Sequence, residues 1–339
     1  MSFSDNFLGD GFDEQISEKD AKEKVVLCKE IVEEGRTFTN IDLIEDTVQL
    51  CIEYDFVEDG LHLVESILEI APYNSDAWQF KGVLLNNSFR FDEAYNCFIK
   101  SLSLNPNDIE THINKSIAED NLGLFDDAVV SLHTALELSP NDDETYFNLG
   151  MLYQKKERFN EAIQNFNRAV EIDPEYMEAW YELGYSYENN DQLESALNAY
   201  DRYLQIDPNS YTAWYNKGIV YLRMEDYPKA INCFELSIAL KDDFSSSWFN
   251  CGFGYFRMKR FTDALTAYNK AYELDSYDDA ILYNLGQTYE ELSDYSLAIK
   301  CYTQAIKLDE EYYEAYLSRG YCYDSVGKYH LALKDFNKA

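Results

Sequence analysis

A period of 34 residues runs through most of this 339-residue chain and constrains its fold more than any other feature. Eight successive repeats align without insertion or deletion, and two of their columns hold small residues. The first column is glycine in all but one repeat, and the second, twelve residues later, is always alanine: Gly82, Ser116, Gly150, Gly184, Gly218, Gly252, Gly286 and Gly320, then Ala94, Ala128, Ala162, Ala196, Ala230, Ala264, Ala298 and Ala332. A fixed period of this length indicates stacked supersecondary elements that bury their apolar faces against their neighbours.

Two segments of each repeat have the spacing of an amphipathic α-helix. In one repeat, Trp214, Gly218 and Tyr221 lie at i, i+4 and i+7, and Ala230 and Phe234 lie four residues apart. The sequence therefore predicts an all-α fold of stacked antiparallel helix pairs. We expect the small columns to let the two helices of a pair approach closely, and the aromatic residue four after the alanine to fill the space between neighbouring pairs.

The end of each second helix is also marked in the sequence. In four repeats a proline that cannot continue the helix follows it: Pro106, Pro140, Pro174 and Pro208. Later repeats carry Asp242, Ser276 and Glu310 at this position. We expect softer helix ends there.

The pattern W-x3-G-x2-Y in the first helix, followed by A-x3-F and then P in the second, resembles the tetratricopeptide repeat family over residues 75–339. The resemblance implies a right-handed α-solenoid. Residues 41–74 fit loosely, because Gly60 replaces the alanine and Val64 the aromatic residue. The predicted organisation is a flexible tail over 1–15, a capping helix and connection over 16–40, a degenerate acidic repeat over 41–74, seven regular repeats over 75–312 and a final incomplete repeat over 313–339.

The capping helix is predicted from a short motif. Ser17 and Asp20 form a capping-box signature, and an apolar stripe that follows them stops at Gly35. We expect a helix over about residues 18–34 that covers the first repeat.

The charge of the chain limits its partners. Lys and Arg number 28 and Asp and Glu 63, a formal net charge of −35. A field of this sign repels nucleic acid and anionic membrane surfaces and favours basic or apolar protein segments. Residues 41–74 hold nine acidic residues and no Lys or Arg, which fits either a solvated end of the array or a docking patch for a basic partner.

The location of the protein is predicted from what its sequence lacks. The start has no signal-peptide pattern, and no apolar run reaches the length of a membrane helix. The seven cysteines are odd in number, form no C-x-x-C motif and fall mostly on apolar helical positions. We therefore expect a cytoplasmic protein whose cysteines are small buried hydrophobes.

Catalytic and metal-binding patterns are missing from the sequence. The four histidines occupy different slots of different repeats, with no cysteine or carboxylate at ligand spacing. Phosphate-binding loops and nucleophile elbows do not occur either. We predict no enzyme activity, no cofactor and no metal.

A candidate binding groove follows from the resemblance, because the first helices line the inner wall in this family. Each repeat is numbered so that Trp214 is slot four and Gly218 slot eight. Slots two, five, nine and twelve share the face away from the packed one, and slots five and nine are largely apolar or aromatic. The alternative is that these side chains pack against the adjacent first helix, which we expect more at slot nine than at slot five.

Slot six is asparagine in five repeats, and in similar peptide-binding arrays an asparagine here hydrogen-bonds the backbone of an extended ligand. Slot two is acidic near both ends of the array and neutral in between, where Arg223 and Arg257 add positive charge. The predicted binding residues are Phe147, Asn148, Tyr181, Tyr185, Tyr215, Asn216, Ile219, Arg223, Phe249, Asn250, Phe253, Arg257, Tyr283 and Asn284.

These patterns favour a non-enzymatic adaptor or scaffold that binds an extended or helical segment, apolar and basic, across residues 147–284. Slots two, five and six hold no Lys or Arg, so the carboxylate clamp of chaperone-tail binders is not expected. One alternative is a self-assembling scaffold, a homo-oligomer joined through an uncapped C-terminal face. Another is the recognition array of a longer enzyme, such as a glycosyltransferase.

Overall fold

The structure is a computed structural model that describes residues 16–339, so the predicted tail over 1–15 lies outside it. These residues form nineteen α-helices and one 3₁₀ helix. The helices are α1 (Glu18–Glu33), the 3₁₀ helix (Thr37–Asn40), α2 (Ile41–Glu53), α3 (Val57–Ile70), α4 (Ser75–Asn87), α5 (Phe91–Leu104), α6 (Ile109–Asn121), α7 (Phe125–Leu138), α8 (Asp143–Lys155), α9 (Phe159–Ile172), α10 (Met177–Asn189), α11 (Leu193–Ile206), α12 (Tyr211–Arg223), α13 (Tyr227–Leu240), α14 (Ser245–Arg257), α15 (Phe261–Leu274), α16 (Asp279–Glu291), α17 (Tyr295–Leu308), α18 (Tyr313–Ser325) and α19 (Tyr329–Phe336).

The helices are distributed over two compact halves. The first half, up to Asp173, contains α1 to α9, and the second half, from Pro174, contains α10 to α19. Within each half, consecutive helices pack as pairs, and each pair packs on the next through its second helix. The prediction of an all-α fold built from stacked helix pairs is confirmed.

The first helix begins as the sequence predicts. The Ser17 hydroxyl accepts a hydrogen bond from the Asp20 backbone N–H at 3.3 Å, and the Asp20 carboxylate accepts one from the Ser17 backbone N–H at 3.3 Å. This reciprocal pair satisfies two N–H groups that have no partner inside the helix. One face of α1, with Val25 and Cys28 fully buried, packs against α2 and α3. The predicted helix and its capping box are confirmed.

The glycine column accommodates aromatic rings. A Cβ atom on Gly218 would lie 2.6 Å from the ring of Phe234, which belongs to the second helix of the same pair and is fully buried. The same contact recurs between Gly82 and Phe98, Gly150 and Phe166, Gly184 and Tyr200, Gly252 and Tyr268, Gly286 and Tyr302, and Gly320 and Phe336. The expectation that these rings fill the space between neighbouring pairs was therefore wrong in its main point, because each ring lies between the two helices of its own pair.

The alanine column is buried in all eight repeats, as expected for positions where two helices approach closely. All seven cysteines are also buried, and burial raises the pKa of Cys97 and Cys233 to about 11. A raised thiol pKa keeps the thiolate scarce near neutral pH, so these side chains behave as small hydrophobes, in agreement with the prediction.

One repeat, residues 109–142, replaces part of its apolar core with charges. Ser116 stands at the glycine slot and Leu132 at the aromatic slot. The Lys115 ammonium lies 2.5 Å from one carboxylate oxygen of Glu119 and 2.8 Å from the Ser131 hydroxyl, which donates to the other carboxylate oxygen at 2.6 Å. Only 1% of Glu119 is exposed, so this carboxylate depends on the network for its partners.

The helix ends and turns follow the repeat rather than local residue types. Helices α13, α15 and α17 end at the slot where α5, α7, α9 and α11 end, although no proline follows them. The turn inside each pair places one residue at positive φ, and this residue is glycine only at Gly123 and Gly327 among the pairs of the described chain. Packing of the pair therefore holds the other turns in a conformation that ordinary residues rarely adopt.

Candidate binding surface

The aromatic residues of slot five pack more closely than the sequence suggested. In the second half, the Tyr215 ring lies 5.8 Å from Phe234 of its own helix pair and 5.1 Å from Phe244, which precedes the next first helix. The Tyr283 ring makes the equivalent contacts with Tyr302 at 5.6 Å and Tyr312 at 5.0 Å. These rings are half-buried and join neighbouring pairs.

In the first half the same slot is buried outright where its side chain is not aromatic. Gln79 is 4% exposed and Ile113 is 3% exposed. The prediction that slot five faces away from the packed side was therefore wrong at these two positions. Phe147, which we predicted to bind a partner, has its ring 5.7 Å from Phe166 of its own pair.

The asparagines of slot six are engaged with the protein itself. The Asn216 amide donates to the Tyr181 hydroxyl at 2.8 Å, and the Asn250 amide donates to the Tyr215 hydroxyl at 3.2 Å and to the Ser246 carbonyl at 2.9 Å. Each bond to tyrosine joins a first helix to the first helix before it. Asn148 and Asn284 donate to the carbonyl four residues earlier, at 2.9 and 2.8 Å. A ligand that hydrogen-bonds these asparagines through its backbone would have to replace the hydrogen bonds that they make within the protein.

Slot nine forms the more open row. Tyr185 is 42% exposed, while Ile219 and Phe253 are half-buried. We name these three residues the open row. The expectation that packing affects slot nine more than slot five was wrong, because the larger exposed surface lies at slot nine. The physical reason is the packing of slot five, where Tyr215 and Tyr283 each contact a ring of their own pair and a ring that precedes the next first helix.

Neighbouring groups of the protein contact the guanidinium groups of the two arginines beside the open row. The Arg223 guanidinium donates to the Glu188 carbonyl at 2.6 Å and to the Asp191 carboxylate at 2.9 Å. The Arg257 guanidinium lies 5.6 Å from the ring centroid of Phe253 and 5.0 Å from that of Tyr227. The positive charge of Arg223 is therefore paired with a carboxylate at close range, whereas Arg257 lies 4.0 Å from the Glu225 carboxylate and over rings that attract a cation without neutralising it.

A small cavity of about 200 Å³ lies beside slot five at the start of the second half. Its walls combine apolar and acidic side chains: Met177, Glu178, Tyr181, Glu182, Tyr203 and Thr212. Sequence reasoning missed Tyr203, although a signal was present. Every other regular repeat has serine or alanine at this slot, so one tyrosine in a column of small residues indicates a local opening.

The acidic residues of slot two in the first half are partly desolvated. Burial raises the pKa of Glu144 to about 7, and the carboxylates of Asp142, Glu110 and Asp143 act in the same direction. Glu110 accepts a hydrogen bond from the Gln79 amide at 2.7 Å. Near neutral pH this row therefore carries less negative charge than its composition implies.

Between residues 16 and 339, no three His, Cys, Asp or Glu side chains are grouped so that they could hold a metal ion. None of the helices in this range combines the length and the apolar character needed to cross a bilayer.

Comparison with known proteins decides the family. Models described as tetratricopeptide repeat match residues 75–108, 113–175, 147–211, 183–247, 243–311 and 313–339. The chain belongs to the tetratricopeptide repeat family. No curated protein sequence matches it.

Solved structures match this chain at low sequence identity, and two of them, at a TM-score of 0.50, share its fold. The Cut9–Hcn1 hetero-tetramer of the APC/C matches 82% of this chain and 55% of its own at 17% identity and a TM-score of 0.50. PilF of Pseudomonas aeruginosa matches 60% of this chain and 92% of its own at 18% identity and a TM-score of 0.50. YrrB, a tetratricopeptide repeat protein with an unusual peptide-binding site, matches over 54% of this chain and 95% of its own chain, at 20% identity and a TM-score of 0.49.

Proposed function

We propose that this tetratricopeptide repeat protein is a non-enzymatic adaptor or scaffold that binds an apolar, basic segment of another protein on the first-helix face of its second half. Membership of a repeat family built for protein interaction supports a protein partner. The seven buried thiols fit a reducing compartment, so we propose the cytoplasm as its location.

The observation that carries the proposal is the open row beside an acidic cavity. Tyr185 exposes an aromatic side chain near polar groups that bond within the protein, namely Asn216 to Tyr181 and Arg223 to Asp191. Exposed aromatic residues next to small cavities are typical centres of binding energy. The cavity lined by Met177, Tyr181 and Glu182 suits an aliphatic stem with a basic end, and the net charge of −35 favours such a segment.

Replacing Tyr185 and Phe253 with alanine should weaken the binding of such segments by about thirtyfold, which is the effect of losing about 2 kcal/mol of contact energy. The probes are peptides selected on the unaltered protein from a random displayed library. We expect selected sequences to combine aromatic or aliphatic residues with Lys or Arg. Their dissociation constants are measured by fluorescence anisotropy at physiological salt.

The matched control replaces Tyr73 and Tyr277 with alanine. These tyrosines are 79% and 85% exposed and lie in the connections between helix pairs, so the control removes the same kind of side chain elsewhere. It should keep the affinity of the unaltered protein. Equal losses in both variants, or selection of acidic peptides, would contradict the proposal.

The outer face of α19 supports self-assembly as a second candidate function. Tyr329 is 69% exposed and Leu333 is 62% exposed, whereas Tyr295 and Ile299 at the same slots of the preceding repeat are half-buried. An exposed apolar face of this kind is a common site of association between chains. We propose that a second copy of the protein covers this face.

Replacing Leu333 with aspartate should abolish self-association, because a charge would then have to be desolvated in the contact. Sedimentation velocity over a range of concentrations measures the effect. Val130→Asp is the control, because Val130 is 63% exposed on a different helix. A monomeric unaltered protein at all concentrations would refute this candidate.

A further inference from the structure

A cation covers most of the aromatic rings at slot four. The Lys217 ammonium lies 5.2 Å from the ring centroid of Trp214 and forms an ion pair with Asp201, sixteen residues before it. The Lys81 ammonium lies 6.0 Å from the ring centroid of Trp78 and 2.8 Å from Glu65, again sixteen residues before it. Each of these repeats therefore builds the same site from an aromatic ring, a slot-seven lysine and a carboxylate.

Two other repeats achieve the same result with a different residue. Slot seven is leucine in both, and an arginine from the second helix covers the ring instead. The Arg168 guanidinium lies 5.6 Å from the ring centroid of Tyr146, and the Arg202 guanidinium lies 5.6 Å from that of Trp180. In these repeats the leucine fills the volume that a lysine stem fills elsewhere.

The repeat that begins at residue 245 has neither arrangement. Its slot-four ring is Trp248, slot seven is Cys251, and the residue sixteen before the cysteine is Glu235. The indole N–H of Trp248 donates to the Asp242 carbonyl at 2.9 Å, as the indoles of Trp78 and Trp214 donate to the equivalent carbonyls at 3.0 Å. The ring is therefore oriented as in the sister repeats, but the lysine is replaced by a much shorter side chain.

A cavity of about 250 Å³ lies at this position. It is lined by Glu235, Ile238, Trp248, Cys251, Tyr255, Asp263, Thr266 and Ala267. Three of these residues are the ring, the slot-seven residue and the carboxylate of the lysine site in the sister repeats. The cavity is thus the volume that a lysine side chain occupies in the repeat before it.

Two cations near this cavity are already paired, and one of them, Arg260, is paired with residues that line it. Lys270, at the slot of Arg168 and Arg202, lies 3.0 Å from the Glu273 carboxylate. The Arg260 guanidinium lies 2.7 Å from Asp263 and 4.5 Å from the ring centroid of Tyr255. Glu235 is exposed and accepts a hydrogen bond from the Tyr255 hydroxyl at 2.6 Å, and no Lys or Arg pairs with it within residues 16–339.

We propose that this cavity binds the side chain of a lysine presented by a partner protein. The aliphatic stem would lie in the volume above Cys251, and the ammonium would lie between the Trp248 ring and the Glu235 carboxylate. An ammonium is attracted to the face of an indole ring and donates hydrogen bonds to a carboxylate, which is the combination seen at Lys217 and Lys81. The strongly negative chain adds a favourable field for any basic segment.

Unmodified lysine fits this site better than its modified forms. A trimethylated lysine keeps the charge but has no N–H group to donate to Glu235, and an acetylated lysine has no charge. The site uses slots four, seven and eleven of α14, which differ from slots five, six and nine of the candidate groove. The two sites therefore succeed or fail independently.

The test measures binding of the blocked peptide Ala-Ala-Lys-Ala-Ala to the full chain by ligand-observed nuclear magnetic resonance at physiological salt. Cys251→Lys returns to this repeat the lysine of its sisters, so the internal ammonium should fill the cavity and weaken peptide binding at least about tenfold. Ser276→Lys adds the same charge at an exposed position between α15 and α16 and should leave the binding unchanged. Glu235→Gln keeps an acceptor for Tyr255 and removes the charge, so it should also weaken peptide binding. This variant carries the test if Cys251→Lys fails to fold.

Peptide variants complete the design. Replacing the central lysine with norleucine, acetyl-lysine or trimethyl-lysine should weaken binding to the unaltered protein. Lys270→Met removes the ammonium at the slot from which Arg168 and Arg202 cover the rings of their own repeats, and the lysine peptide should bind this variant at least as tightly as the unaltered protein. Equal binding by the norleucine peptide, equal losses in Cys251→Lys and Ser276→Lys, or binding that appears only in Lys270→Met would overturn the proposal.

Discussion

Replacing Gly218 with serine should lower the free energy of unfolding by about 2 kcal/mol, because overpacking a filled core costs about 1 to 3 kcal/mol. A Cβ atom at this position would lie 2.6, 2.9 and 2.9 Å from three carbons of the Phe234 ring. That ring is completely buried, so it has no free volume into which it could move. The higher helix propensity of serine offsets only a fraction of this cost.

The repeat over residues 109–142 indicates how the loss can be repaired. It has Ser116 at the glycine slot and Leu132 at the aromatic slot, and both side chains are buried. Combining Gly218→Ser with Phe234→Leu should therefore be less destabilising than the sum of the two single changes, with a coupling energy of about 1 kcal/mol. Urea unfolding followed by tryptophan fluorescence is suitable, because Trp180, Trp214 and Trp248 lie in the same half.

Strictly additive effects in this cycle would contradict the assignment of the glycine column to ring packing. The same contact between glycine and ring recurs in seven of the eight repeats, so the outcome applies to all seven glycines of the column. It would also separate this role of glycine from backbone flexibility, because Gly218 is helical and does not adopt positive φ.

Replacing Lys115 with methionine should cost about 3 to 5 kcal/mol, the usual effect of leaving a buried charge without its partner. The Glu119 carboxylate is 1% exposed and receives its hydrogen bonds from Lys115 and Ser131. Without the ammonium, only the Ser131 hydroxyl remains as a donor among these contacts. Urea unfolding monitored by circular dichroism, together with amide hydrogen exchange in α6 and α7, measures the loss.

The matched experiment replaces the whole network with the residues of another repeat. Leu183, Tyr187 and Ala199 occupy the slots of Lys115, Glu119 and Ser131 in the repeat that begins at residue 177. The triple variant Lys115→Leu, Glu119→Tyr and Ser131→Ala should be as stable as the unaltered protein or more stable by about 1 to 4 kcal/mol, because no charge remains to be desolvated. A triple variant less stable than Lys115→Met would show that the network stabilises the fold beyond satisfying its own members.

The proposed functions concern different residues of the same period. The core columns repeat faithfully, whereas slot nine varies along the array, and Tyr203 and Cys251 each occur in one repeat only at their slots. Departures of this kind change a local surface without changing the stack, since each repeat contacts only its neighbours. The lysine cavity was not predicted from the sequence, although the replacement of lysine by Cys251 was visible in it.

Much of the fold could be derived from the sequence because the signal is repeated. Helix spacing, the alanine column and the capping box at Ser17 each rest on contacts between residues close in the chain or at a fixed period. Eight copies average out the local ambiguity that affects one helix alone. The helix ends without proline, at Leu240, Leu274 and Leu308, also follow from the period once the other ends are known.

The exposure of the candidate binding residues was decided only by the tertiary structure. Helical periodicity gives the direction of a side chain around its own axis, but not the distance to the neighbouring helix. Slot five and slot nine lie one turn apart on the same face of the first helix, and packing of Phe244 and Tyr312 against slot five buried that position while slot nine stayed more open. The sequence by itself determined the 34-residue helix pair and its small-residue columns, and the contacts between successive pairs determined which of the remaining residues a partner can reach.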